Sequence, residues 1–135
     1  MIRKFEHKDK ESLLDCLKEV WTIDYIDDNF LDEYLKNENL LYVIIIDEEI
    51  VGCATLHLQK KLIRNGCIAG FIEEVVVKEK YRGQRVGEKL INYLTEEAKK
   101  IGCYKVSLSC FPERVNFYER CGFKNESITM RISLK

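Results

Sequence analysis

The sequence predicts an α/β layered domain on a mixed sheet, and three observations predict it. Apolar runs of strand length alternate with segments whose apolar residues recur every three or four positions. One segment, residues 87–101, carries a full amphipathic stripe followed by glycine. The chain has 135 residues, 46% hydrophobic, with one proline and seven glycines. That suits one well-filled core and leaves no room for a second, so residues 1–135 are expected to form a single domain.

The elements follow in order. Residues 2–5 read as a short strand. Over residues 9–21, Leu13, Leu14, Leu17, Val20 and Trp21 keep helical spacing, with Asp9 as the cap. A second helix carries Phe30, Leu31, Tyr34 and Leu35. Residues 40–46 form a buried strand, and Asp47-Glu48-Glu49 turns it into a second strand, 50–58, as a hairpin. A basic link over 59–66 leads to a strand at 68–77. In the helix at 87–101, Leu90, Ile91, Leu94, Ala98 and Ile101 share a face, Glu96 can pair with Lys100, and Gly102 ends it. A strand at 105–110 and a short helix from Pro112 to Cys121-Gly122 follow. Alternation of Ile128, Met130, Ile132 and Leu134 with Thr129, Arg131 and Ser133 predicts a closing strand.

Charge excludes some functions. Lys plus Arg (22) nearly balances Asp plus Glu (23), so neither nucleic acid nor an anionic membrane is the expected partner. The longest apolar run, 40–46, is too short to span a bilayer, and residues 1–8 hold no signal-like apolar stretch. The expected location is cytoplasmic. The six cysteines form no C-x-x-C pair, and the two histidines, His7 and His57, sit beside no second ligand in sequence, so no metal is expected. The cysteines read as small buried hydrophobes in a reducing compartment.

The segment Tyr81-Arg82-Gly83-Gln84-Arg85-Val86-Gly87 stands between an apolar strand and the strongest helix. Glycine lets backbone approach a ligand, and a helix start offers unpaired N–H groups to phosphate. No Gly-Lys-Ser/Thr follows, and the glycine spacing is not that of a dinucleotide fingerprint. Taken alone, such a turn is more often simply tight.

This segment resembles the acetyl-CoA loop of the GNAT acetyltransferase superfamily, Arg/Gln-x-x-Gly-x-Gly/Ala, with Arg85 where glycine is usual. Phe117-Tyr118 shortly before Gly122-Phe123 matches a second hallmark of that superfamily. Residues 72–77, 81–84, 102–106 and 115–123, with Met130, further resemble glucosamine-6-phosphate N-acetyltransferases from about residue 61 to 130.

The resemblance implies a GNAT acyl-CoA N-acyltransferase fold, an α/β domain whose mixed, mostly antiparallel central sheet is flanked by helices, and transfer of acetyl from acetyl-CoA to the 2-amino group of glucosamine 6-phosphate. It implies cosubstrate contacts at Val75, Val76, Val77, Arg82, Gly83, Gln84, Arg85, Val86, Gly87, Glu88 and Ser109. Val75 would offer its N–H to the thioester carbonyl. Glu73 and Glu74, which interrupt an apolar strand, would contact the sugar and take the ammonium proton, one of them otherwise facing solvent. Tyr118 would protonate the departing thiolate. Thr22, Lys61, Leu62, Ile63, Arg64, Tyr104, Lys105 and Arg131 would line the sugar-phosphate site, with Ser133 where the family has a basic residue. Arg85 could point outward or crowd the loop; the outward orientation is expected. A homodimer joined through the closing strand is implied as well. Two alternatives stay open: an acetyltransferase for another small amine or unphosphorylated amino sugar, and a non-catalytic acyl-CoA-binding regulator.

Overall fold

The computed structural model describes residues 1–36 and 38–135. Among these, five strands form one open sheet in the order β1 (Ile2–Lys4), β2 (Asn39–Ile46), β3 (Glu49–Lys61), β4 (Cys67–Val77), β5 (Val106–Leu108). All neighbours are antiparallel except β4 and β5. The helices are α1 (Lys10–Leu17), α2 (Asp28–Lys36), α3 (Val86–Ile101) and α4 (Val115–Arg120). No helix among the described residues is long and apolar enough to cross a membrane.

β2 is apolar on both sides because both of its faces are covered. Tyr42 and Ile44 pack with Leu56, Ile72 and the α3 stripe Val86, Leu90, Ile91, Leu94 and Ala98. Leu41 and Val43 pack on the opposite face with Phe5, Leu13, Cys16 and Leu31. Leu94 is fully buried, and its truncation to alanine would cost about 2–5 kcal/mol. Gly102 ends α3 at φ 101°, the left-handed stop that the sequence predicts.

Several expectations are corrected. The first helix ends at Leu17, so Val20 and Trp21 are exposed rather than part of its buried stripe. Asp9 does not cap it through its side chain: the carboxylate accepts from Arg3, at 2.7 and 2.8 Å, and from the Glu6 N–H. These bonds hold its pKa below the ordinary value. On α3 the ion pairs are Lys99–Glu96 and Lys100–Glu97, three residues apart rather than four, and Ile101 is exposed. The strand expected at 105–110 is only Val106–Leu108. Cys16 and Cys53 are buried, whereas Cys110 is exposed.

The expected closing strand is absent from this chain. Ile128, Met130, Ile132 and Leu134 are each at least 84% exposed, and residues 123–135 belong to no element. Alternation specifies a strand face but not the partner that must complete its ladder, and no strand among the described residues pairs with it.

Candidate active site

A divergence in the sheet builds the site. β4 and β5 pair only between Gly70–Ile72 and Val106–Leu108. Beyond Ile72, β4 continues while β5 ends, and a cleft of about 690 Å³ opens between them. The β3–β4 register shifts between Cys53 and Thr55, so Glu74 and Val75 have no register partner on β3. Glu74 adopts φ 53°, and this bulge brings two successive carboxylates to one place.

The cleft is lined by Glu73, Glu74, Val75, Val76, Val77, Arg82, Gly83, Arg85, Val86, Gly87, Glu88, Ser109 and Tyr118. The loop before α3 turns through left-handed backbone at Gly83 (φ 78°) and Arg85 (φ 62°). The first intrahelical bond runs from Lys89 N–H to the Arg85 carbonyl. The N–H groups of Val86, Gly87 and Glu88 therefore have no partner inside the helix, as a phosphate cradle requires. Arg85 points outward, 82% exposed, and reaches Glu88 at 3.5 Å. Arg82 Nε donates to the Val77 carbonyl at 3.0 Å and pins the loop to the end of β4. Gln84 turns back to the Lys80 carbonyl. This loop and helix start fit a pyrophosphate-bearing cosubstrate.

Across the cleft, Tyr118 packs edge-on against Phe117 and Phe123. Burial, with the nearby Cys110, pushes its phenol above the ordinary tyrosine value, so it carries its proton at neutral pH. On the β4 side, Glu74 Oε1 accepts from the Tyr34 hydroxyl at 2.9 Å. Tyr34 also lies 2.7 Å from Thr55 Oγ1, which can donate to it in turn. Burial, opposed by the Thr55 bond and reinforced by Glu74, pushes the Tyr34 phenol well up. Glu73 Oε2 meets His57 Nε2 at 3.1 Å. The ligand-type atoms of His57, Glu73 and Glu74 lie within 4.8 Å of one another, with His57 also against Asn39 and Glu74 against Tyr34.

The residues expected at the sugar site form separate groups. Arg64 stacks over the Tyr104 ring at 4.5 Å, and Lys105 Nζ lies 5.5 Å from the same ring. This cluster, with Lys61 and the exposed Leu62 and Ile63, sits at the hairpin end of β4, where Tyr104 bonds to Ile68. At about 3.3 Å per strand residue, Glu73 is on the order of 15–20 Å away. Thr22 lies in the exposed α1–α2 loop beside Trp21, which lines the cleft, and Arg131 lies in the uncovered C-terminal segment.

Several site residues escape the sequence reading. Trp21, Phe111, Arg114 and Arg120 line the cleft, and Asn39, Tyr34 and His57 support its carboxylates. No linear spacing marks them, because only the sheet register and the α2 docking bring them together. Lys78 is also missed. It is 7% exposed and donates to Asp15 (2.7 Å) and Glu49 (3.0 Å), clamping α1 and β3 where the cradle loop begins. Burial opposes its charge, but the two carboxylates outweigh burial and raise its pKa.

Comparison with known proteins agrees with this geometry. The model of the acetyltransferase (GNAT) family matches residues 9–123. A glucosamine 6-phosphate N-acetyltransferase of Arabidopsis thaliana is 36% identical, over 96% of this chain and 93% of that protein. A protein of that name from Dictyostelium discoideum is 32% identical, over 89% of this chain and 81% of its own length. The crystal structure of the Arabidopsis thaliana glucosamine-6-phosphate N-acetyltransferase superposes with a TM-score of 0.91 at 32% identity, covering 100% of this chain and 98% of that one. The chain therefore belongs to the GNAT acetyltransferase family, whose cosubstrate is acetyl-CoA.

Proposed function

We propose that this enzyme transfers acetyl from acetyl-CoA to the 2-amino group of glucosamine 6-phosphate, giving N-acetylglucosamine 6-phosphate, a step towards UDP-N-acetylglucosamine. The observation that carries the reading is the cleft itself. Two carboxylates on one wall face a protonated phenol on the other, with a phosphate-type cradle at its end. The similarity to relatives named for that acceptor supports the choice of sugar.

The N–H groups at the start of α3 and the Arg82–Gly87 loop hold the pyrophosphate. Val75, without a register partner on β3 or β5, directs its N–H at the thioester carbonyl as charge develops there. Glu73 and Glu74 bind the ammonium and receive its proton. The neutral amine attacks the carbonyl carbon, the C–S bond breaks, and the thiolate takes the Tyr118 proton. A second proton leaves the nitrogen as the amide forms and balances the one that Tyr118 gives.

The acceptor's phosphate needs fixed positive charge, and Arg64 and Lys105 supply it from the far end of β4. A second copy of the chain reconciles that distance. The apolar C-terminal segment packs on the partner, and basic residues of one chain approach the other's sugar site. Free cysteines throughout suit a reducing, cytoplasmic setting.

Incubation with acetyl-CoA and a panel of amines, followed by assay of free thiol, tests the acceptor. Release is expected to be far faster with glucosamine 6-phosphate than with glucosamine. Equal rates would shift the reading to an unphosphorylated sugar or another small amine. No release with any amine would leave a CoA-binding module.

A further inference from the structure

We infer that His57 is a positioning residue for Glu73 and that the two share one proton, forming a pair that stores the proton lost by the acceptor's ammonium group. The inference rests on the acceptor reading above and extends it to a side chain outside the cleft wall.

The argument begins with Asn39. Its Nδ2 donates to the Tyr34 carbonyl at 2.9 Å, which fixes the amide so that Oδ1 faces His57. Oδ1 only accepts, and it lies 2.5 Å from His57 Nδ1. Nδ1 must therefore carry a hydrogen. A neutral ring then presents a lone pair from Nε2 to Glu73 Oε2 at 3.1 Å. Two lone pairs at that distance repel, so the contact holds only with a proton between them. The pair has a one-proton state, which has this geometry, and a proton-free state, in which Glu73 is free to swing towards the cleft.

The surroundings favour such a device. His57 is 20% exposed and Glu73 57% exposed, so the carboxylate reaches solvent and substrate while the ring stays anchored. Glu73 and Glu74 face the ring from β4, and Tyr34 on α2 meets it edge-on at 6.2 Å. The Lys60–Glu38 ion pair closes the same end of β2 and β3. An imidazole matches an ammonium proton near neutral pH better than a lone carboxylate does. In the step proposed, the ammonium N–H bond breaks with its electrons left on nitrogen. Glu73 passes the proton to Nε2, and the pair releases it to water after acetyl transfer.

Two measurements test this. The chain has only two histidines, so ¹⁵N NMR of the imidazole rings in the free protein resolves His57 without any substrate. The neutral ring should carry its hydrogen on Nδ1, the minor form of free histidine, and Asn39→Ala should restore the Nε2–H form. Kinetically, His57→Gln should lower kcat/KM for the sugar phosphate roughly 10–100-fold at pH 7 and leave the KM for acetyl-CoA unchanged. The deficit should shrink at alkaline pH, where the amine arrives neutral, and added imidazole should restore activity to His57→Ala. An Nε2–H ring in the wild type, or a loss of equal size at every pH, overturns the inference. Lack of wild-type turnover on glucosamine 6-phosphate overturns the acceptor reading instead, and the ring tautomer still decides the state of His57.

Discussion

The two ends of β4 differ in how completely one chain furnishes them. At the Glu73 end, each carboxylate has a partner: Tyr34 for Glu74 and His57 for Glu73. A phenol with a raised pKa stands across the cleft. At the hairpin end, Arg64 and Lys105 gather on the Tyr104 ring, and Leu62 is 98% exposed. In the proposed mechanism the first end supplies both the base and the acid within a single copy. In the same proposal the second end recognises the sugar phosphate and is completed by a second copy.

The largest expected effect falls at the complete end. If Tyr118 protonates the thiolate as proposed, Tyr118→Phe should lower kcat by about 100-fold, with acetyl-CoA affinity unchanged by calorimetry. Because burial raises the phenol's pKa, wild-type turnover should fall only as pH rises above the ordinary tyrosine range, where the proton is lost. That alkaline limb should vanish in the variant. Unchanged turnover removes Tyr118 from the chemistry.

Gly87→Val probes the cradle. A Cβ built at Gly87 would lie 3.1 Å from the Phe117 ring, so the strain falls first between α3 and α4 and not only at the pyrophosphate. A loss of about 1–3 kcal/mol in stability is expected, read as a lower Tm, together with weaker acetyl-CoA binding. Intact affinity would show that the cradle is misplaced.

How much of this could be read in advance depended on whether the signal was local. The α3 stripe from Leu90 to Ala98 and its Gly102 stop are encoded within single turns and appear as expected, with only Ile101 left out of the buried face. Glu73 and Glu74 stood out because charge in a strand is costly. Val20 and Trp21 fit the helical period, yet the helix stops at Leu17 and Trp21 lines the cleft instead. Tyr34, Asn39 and His57 lie on different elements, so their meeting depends on the β2–β3 register, which places Asn39 opposite His57. The alternating residues 128–134 show the limit most plainly. Period two marks one face, but a strand also needs a neighbour to bond.

At the open end, Arg64→Ala or Lys105→Ala should raise the KM for glucosamine 6-phosphate roughly tenfold, the scale of a lost charge-assisted contact. Activity on glucosamine should stay nearly unaltered. Equal losses on both acceptors would make the cluster a scaffold for the β3–β4 hairpin, consistent with the ring stacking that already holds it together.

The smallest signal discriminates most sharply between a shared site and two independent ones. Light scattering at micromolar concentration should first show a dimer, and removal of residues 124–135 should convert it to a monomer, since the apolar segment proposed to pack on the partner is then gone. Tyr118→Phe and Arg64→Ala chains are next mixed after partial unfolding and refolding. If each site draws its phenol from one chain and its guanidinium from the other, a hybrid dimer contains one site with both defects and one with neither. Random pairing makes half the dimers hybrids, so with glucosamine 6-phosphate held well below its KM, where the Arg64→Ala chains are about tenfold impaired, recovery of roughly a quarter of the wild-type rate is expected. If each chain supplies both groups to its own site, no hybrid contains an intact site, and activity stays at the level of the separate variants. A monomer at the outset would return the basic cluster to its own chain and require β4 to be spanned by the acceptor itself, which a single sugar phosphate is too short to do.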